Sequence, residues 1–207
     1  MRTWLKKALS EHNPAAKGMR SDYDLNGDLK EIELHGLTLR QAAVLVPIVD
    51  RRSGPTVLLT RRADHLTQHA GQISFPGGKV DPLDEDVIAA AFREAEEEIG
   101  LPRSYVTLKG FLDGYRTGTG FEIVPVVGLV REGFSLTLQI EEVVEAFEVP
   151  LSFILNRDNH KLKTGVWRGT ERSYYAIEYE DYDIWGATAA MLVNLCDVLE
   201  AAKEEMA

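Results

Sequence analysis

Apolar residues follow two different rhythms along this chain. AAVLVPIV (Ala42–Val49) and TVLLTRR (Thr56–Arg62) are short apolar runs rich in β-branched residues, separated by Arg52-Ser53-Gly54-Pro55. They predict two buried strands joined as a hairpin. QISF (Gln72–Phe75) predicts a third strand, ending at Pro76-Gly77-Gly78. Between roughly Glu85 and Ile99 the period changes. Ile88, Phe92, Ala95 and Ile99 recur at spacings of four, three and four and form one helical stripe, which Gly100 and Pro102 end. Strand-like stretches return at VTLKGFLDGYRT, FEIVPVVGLV and FSLTLQI. Glu141 to Phe147 reads as a short helix or a loop ending at Pro150, and Ser173–Trp185 alternates like a strand. Gly186 to Met206 reads as a last helix, with Leu192, Leu195, Cys196 and Leu199 on one side.

Near the start, Thr3 to Ser10 reads as a short helix stopped by Asn13-Pro14, and Asn26-Gly27-Asp28 as a turn. Strands outnumber helices, and one helix interrupts the strand series. That predicts an α+β fold with a mixed β-sheet between helices. The pattern divides the chain into an N-terminal extension, residues 1–35, and one domain, residues 36–207.

Composition narrows the function classes. A net charge of -10 argues against sequence-independent nucleic-acid binding, which works by neutralising phosphates. It leaves room for a small phosphorylated ligand, since a few basic groups or a metal reverse the field locally. Cys196 is the only cysteine, which excludes an internal disulfide and a cysteine zinc site, and its apolar surroundings predict a buried thiol. Met1 to Pro14 holds no apolar run of signal-peptide length, and no stretch approaches a membrane span. The expectation is a cytoplasmic protein without membrane or nucleic-acid partners. A homodimer stays open.

The stretch REAEEE (Arg93–Glu98) poses a physical problem. Four of its six residues are glutamates. Glu94, Glu97 and Glu98 lie at i, i+3 and i+4, on one helix face, where like charges repel by a few tenths of a kcal/mol per pair, about 0.2–0.5. They also sit at the helix end where the dipole disfavours anions. A merely solvated acidic face leaves this arrangement unexplained. A hard divalent cation relieves it, because three carboxylates supply the oxygen ligands that Mg²⁺ prefers and leave positions for water and phosphate.

The stretch from Gly78 through REAEEEIGL resembles the Nudix box, Gly-x5-Glu-x7-Arg-Glu-apolar-x-Glu-Glu-x-Gly-apolar. The REAEEEIGL portion fits at every specified position, while six residues rather than five separate Gly78 from Glu85. The resemblance implies the Nudix fold, an α/β/α sandwich, and hydrolysis of a nucleoside diphosphate linked to another moiety, with Mg²⁺ or Mn²⁺ as cofactor. LLTRRADHLTQHAGQISFPGG (Leu58–Gly78) is similar to the segment ahead of the box in coenzyme A pyrophosphatases, matching at Leu58, Leu59, Thr60, Arg62, Ala63, Gly71 and Phe75 to Gly78. Thr67 stands where that pattern has a second arginine. EVVEAFEVPLSFIL and DIWGATA resemble later segments of the same class.

The resemblance implies metal ligation by Glu94, Glu97 and Glu98. Arg93 then organises the catalytic acids, with Glu85 as its expected partner, and Glu96 is a solvated bystander. Gly77 and Gly78 let the loop pass close to metal and phosphates. Of Arg61 and Arg62, adjacent on a strand, only one can face the site. Arg62 matches the motif, and its guanidinium suits a phosphate. His65 and His69 fit a hard carboxylate site poorly as metal ligands, so His69 and Gln72 are candidates for substrate or loop-ordering contacts. Tyr115, Phe121, Trp167 and Tyr174 are candidates to stack an adenine, against the alternative of ordinary packing. The attacking water needs a base, and Glu97, Glu142 and Glu145 are the candidates. Coenzyme A is the expected substrate, giving 3′,5′-ADP and 4′-phosphopantetheine. NADH, ADP-ribose or a damaged nucleotide are alternatives, and a ligand sensor without turnover is a third reading.

Overall fold

Strand β2 (Arg40–Asp50) is the axis of the sheet. In the computed structural model, which describes residues 8–9, 19–27, 39–167 and 169–204, β2 runs parallel to β8 (Phe121–Arg131) along its whole length. It pairs with β3 (Thr56–Arg62) only at Ile48↔Val57 and Val49↔Thr56. Beyond those pairs the two strands part. The opening is filled by β4 (Ile73–Ser74), paired to Thr60 and Arg61 of β3, and by β5 (Gly77–Lys79), paired to Ala42–Val44 of β2. The wedge places the Pro-Gly-Gly turn inside the sheet. The far side of β3 carries β9 (Val143–Pro150), with a register shift between Arg61 and Arg62. β6 (Val106–Phe111) and β7 (Tyr115–Arg116) pair with β8, and β1 (Arg20–Ser21) runs parallel to β7.

Helices cover both faces. Alternation along β2 sends Ala43, Leu45 and Val49 into one core and Val46 and Ile48 into the other. The first core is closed by α1 (Val87–Ile99), through Ala91, Phe92, Ala95 and Ile99. Burying side chains the size of Phe92 and Ile99 contributes about 1.5–3 kcal/mol each. The second core is closed by α3 (Ala187–Glu204), through Leu192, Leu195, Val198 and Leu199. A short helix, α2 (Leu151–Ile154), follows β9. A separate antiparallel sheet of β10 (Lys161–Trp167), β11 (Thr170–Tyr179) and β12 (Tyr182–Trp185) leads into α3. The result is the expected α+β sandwich with a mixed sheet between helices. Among the described residues, no helix is long and apolar enough to cross a membrane. Cys196 is buried, and desolvation pushes its thiol up to about 11.

Several local expectations are corrected. The central helix starts at Val87, not Glu85, because the Asp86 carboxylate accepts from the Ile88 and Ala89 N–H groups and caps it. Phe134–Ile140 alternates in exposure yet forms no strand. Its Thr137 and Gln139 N–H groups donate to the Ile99 and Glu98 carbonyls at the end of α1. Gly100 (φ 66°) allows that approach, since a Cβ there would sit 2.9 Å from Thr137 N. Glu141–Phe147 is neither helix nor loop; most of it lies in β9. Ser173–Trp185 is two strands, β11 and β12, that turn back at Glu180, which takes a left-handed φ of 52°. Gln72–Phe75 contributes only Ile73 and Ser74 as strand. Ala8 and Leu9 are helical, and the rest of Thr3–Ser10, Asn13-Pro14 and Asp28 lie outside the described residues. Residues 19–27 are built into the domain. Asn26 exchanges hydrogen bonds with Ser173, and Asp22 accepts from the Tyr115 hydroxyl.

Candidate active site

The helix and the wedge meet at Glu98. This side chain is only 4% exposed, at the C-terminal end of α1, facing the sheet. One of its oxygens accepts from the Gly77 N–H at 3.0 Å, and the other lies 3.7 Å from Arg62 Nη1. Burial outweighs both contacts and pushes the Glu98 carboxyl up to about 7, with the negative charges of Glu94 and Glu142 adding to the effect. Arg62 Nε is buried without a partner. A buried guanidinium N–H and a carboxylate short of positive charge thus share one recess.

Glu94 lies beside Gly78. A Cβ on Gly78 would fall 2.5 Å from the Glu94 carboxyl carbon, so the glycine is what admits the carboxylate against β5. Desolvation raises the Glu94 carboxyl too, against the favourable contact with Arg93. Arg93 uses all of its guanidinium nitrogens. Nε and Nη2 donate to the two Asp84 oxygens at 2.9 and 2.8 Å, Nη1 donates to Glu94 and to Glu97 at 2.9 Å each, and Nη2 also reaches the Lys79 carbonyl at 3.2 Å. These bonds raise the Arg93 pKa, Asp84 most of all, and hold the Asp84 carboxyl down at about 2. The arginine therefore pairs with Asp84 and not with Glu85, which is exposed. The tight turn at 81–84 explains the choice: the Asp81 N–H donates to Asp84 and the Leu83 N–H to Asp81, which aims Asp84 back at the helix.

Glu97 and Glu96 are both exposed on the outer side of α1. Among the described residues, no three acidic or histidine side chains converge on one point as a ready-made metal cage. Arg93 Nη1 holds Glu94 and Glu97 together on itself. The donor set nevertheless fits a hard divalent cation: carboxylate oxygens, two of them desolvated by more than their arginine contacts offset, beside a backbone cradle that admits only glycine.

The other candidates fall into two groups. Glu142 is exposed and its charge is felt by both Glu94 and Glu98. Glu145 is engaged elsewhere, accepting from Arg61 Nε at 3.2 Å and from the Tyr182 hydroxyl at 2.7 Å. Arg61 is accordingly not a purely solvent-facing residue, since it also reaches Asp64. His69 Nδ1 donates to Gln72 Oε1 at 2.7 Å across a turn in which His69 (φ 58°) and Gly71 (φ 67°) are left-handed. That turn abuts the recess, because the Arg62 N–H donates to the Gln72 carbonyl. His65 lies 3.7 Å from Glu141 instead of joining His69. Thr67 is exposed on the same loop. Tyr115 is buried with its hydroxyl on Asp22, Phe121 lies under the Arg40 guanidinium, and Tyr174 packs edge-on against Trp185. The Trp167 side chain lies outside the described residues. Asp84 is the residue that reading from sequence missed, and its spacing of five residues from Gly78 is the signal that could have found it.

Fold and recess together define a Nudix hydrolase. A family profile described as the NUDIX domain matches residues 39–163, and the chain belongs to that family, pyrophosphohydrolases that typically use divalent metals. Proteins of Yersinia pestis (strain Pestoides F) and Yersinia pseudotuberculosis serotype O:1b (strain IP 31758), both described as uncharacterized Nudix hydrolase NudL, are similar to it. Each is 44% identical over 158 residues, 76% of this chain and 79% of the relative. Among solved structures, the MutT protein from Methanosarcina mazei Go1 shares the fold. It has a TM-score of 0.50 at 20% identity, over 82% of this chain and 96% of that one.

Proposed function

We propose that the recess around Glu98 binds the pyrophosphate of coenzyme A or an acyl derivative and hydrolyses it to 3′,5′-ADP and (acyl-)4′-phosphopantetheine. The observation that carries this reading is the 3.7 Å approach of Arg62 to Glu98. Arg62 comes from the coenzyme A-like segment Leu58–Gly78 and Glu98 from the box, two motifs recognised separately and joined in one recess. The similar Yersinia proteins carry no substrate in their descriptions, so the substrate rests on that segment.

Glu94, Glu97 and Glu98 would hold the metal. When bound, Mg²⁺ or Mn²⁺ neutralises phosphate charge and acidifies a water. Arg62 has a buried, unpartnered Nε–H to give a phosphate oxygen. Arg93 keeps Glu94 and Glu97 within reach of each other while Asp84 anchors it. Gly77 and Gly78 keep Cβ atoms out of the space between β5 and the acids. The attacking water gives its proton to a carboxylate as its oxygen bonds to one phosphorus, the bridging P–O–P anhydride bond breaks, and the other phosphate leaves as a phosphomonoester. Glu142, exposed beside Glu94 and Glu98, is the base we favour over Glu97, whose carboxylate Arg93 already holds, and over Glu145, which Arg61 and Tyr182 occupy. His69 and Gln72 flank the substrate from the turn next to Arg62.

Thr67, exposed where the coenzyme A pattern has arginine, favours a second reading in which NADH or ADP-ribose is the substrate. Incubation with coenzyme A, dephospho-coenzyme A, NADH and ADP-ribose under Mg²⁺ or Mn²⁺, with products separated by chromatography, decides between them. Preferential cleavage of coenzyme A supports the first reading. Equal or faster cleavage of dephospho-coenzyme A or ADP-ribose overturns it in favour of the second.

A further inference from the structure

The segment DIWGATA (Asp183–Ala189) and the small sheet before it lie outside the chemistry described so far. Their polar contacts nonetheless lead back to the recess. Tyr182 stacks flat on Phe147, with ring centroids 3.6 Å apart and planes 4° from parallel. The stack fixes the ring, and its hydroxyl donates to Glu145 at 2.7 Å. Glu145 in turn accepts from Arg61 Nε, and Arg61 Nη1 donates to both oxygens of Asp64 at 3.2 and 3.3 Å. Asp64 opens the loop that carries His69 and Gln72. Its Oδ1 would lie 2.8 Å from a Cβ on Gly71, so this exposed carboxylate lies against the far end of the same loop. At the loop exit the buried Thr188 hydroxyl donates to the Ile73 carbonyl at 3.0 Å.

Both ends of the loop are therefore held from one stretch, Tyr182–Thr188. We infer that Tyr182 is a positioning residue, acting through Glu145, Arg61 and Asp64 to hold the 64–72 loop and its His69–Gln72 turn beside Arg62. The chain of contacts explains why Glu145, separated by the β-bulge from the Arg62 pair of the same two strands, is committed to a neutral hydroxyl and a cation. It also accounts for the DIWGATA segment, since Thr188 pins one end of the loop while Tyr182 braces the other. The role in substrate binding rests on the preceding assignment of His69 and Gln72, whereas the clamp itself does not.

Tyr182→Phe removes the hydroxyl and keeps the ring on Phe147, so folding is preserved. The full-length variant and the parent are compared by amide hydrogen exchange and by steady-state kinetics on coenzyme A with Mg²⁺. The expected result is faster exchange across residues 64–72 and a KM raised about three- to tenfold, the usual net worth of a single hydrogen bond, with kcat held within about twofold. Unchanged exchange in the loop overturns the clamp, whatever the kinetics. Faster exchange with an unchanged KM keeps the clamp and overturns the contact of His69 and Gln72 with substrate. If no coenzyme A is cleaved by either protein, the exchange result still decides the clamp and the substrate assignment fails separately.

Discussion

Arg93 reaches back nine residues to Asp84 and grips both carboxylate oxygens, at 2.9 and 2.8 Å, while its remaining nitrogen holds Glu94 and Glu97. One guanidinium thus ties the loop before the helix to the acids on it. If this fork positions the acids for metal, Asp84→Asn should weaken metal activation about 10- to 100-fold, the range seen when a group supporting metal ligands is lost. Glu85→Gln should stay within about twofold of the parent, as for an exposed surface change. Titrating Mg²⁺ against the rate in both variants checks this. Equal effects from the two would return Glu85 to the role that spacing alone suggests.

Gly78 is the second point of control. Paired with Ala43 across β5 and β2, its backbone cannot retreat, so a methyl group there must displace the Glu94 carboxylate. Gly78→Ala is expected to fold, with a thermal midpoint near the parent's, and to lose at least about tenfold in kcat, since displaced ligands misalign the reacting atoms. A rate equal to the parent's would show that Glu94 is free to move without consequence.

The two glutamates of β9 and its approach should separate cleanly. Glu142→Gln is expected to lower kcat by about 10²–10⁴, the usual contribution of a general base. Glu145→Gln should instead follow Tyr182→Phe, changing KM more than kcat, because its partners are Arg61 and Tyr182. A larger kcat loss in Glu145→Gln than in Glu142→Gln would reverse the assignment.

The burial of Glu98 has a consequence for stability in the metal-free protein. Its carboxyl titrates at about 7 when folded, against an ordinary value of 4.5. The folded state then holds this proton to higher pH than the unfolded state does. Stability is full below pH 4.5 and declines as pH rises to 7, by up to roughly 3 kcal/mol for a shift of this size. In EDTA, the stability difference between the parent and Glu98→Gln should move in favour of the variant across that window. Added Mg²⁺ should stabilise the parent above pH 7 and do little for the variant. A difference that stays flat from pH 4.5 to 7 would mean that Glu98 is better solvated than its surroundings indicate.

Whatever is local in the chain is legible in the sequence. The stripe Ile88, Phe92, Ala95 and Ile99 and the acids between them belong to one helix, and helical spacing alone assigns their faces. Spacing misassigns the partner of Arg93 by one residue, because the turn at 81–84 decides which carboxylate swings back. Phe134–Ile140 alternates like a strand, yet what it bonds is the end of α1, a partner that no pattern within the segment reveals. β9 is hidden by its glutamates. They are tolerated because Glu148 pairs with Arg51 and Glu145 with Arg61, contacts made across long stretches of chain. The same holds for Tyr182, whose role depends on a neighbour 37 residues away in sequence.

Whether the acids of α1 drive a metal-dependent cleavage of coenzyme A is measured most directly by product release. Coenzyme A is incubated with the parent protein and with Glu98→Gln, in Mg²⁺ and in EDTA, and 3′,5′-ADP and 4′-phosphopantetheine are quantified. Equal amounts of both products are expected in Mg²⁺, none in EDTA, and a rate in Glu98→Gln lower by at least about a hundredfold. Release of 3′,5′-ADP at the same rate in EDTA, or at the parent's rate from Glu98→Gln, would contradict the assignment.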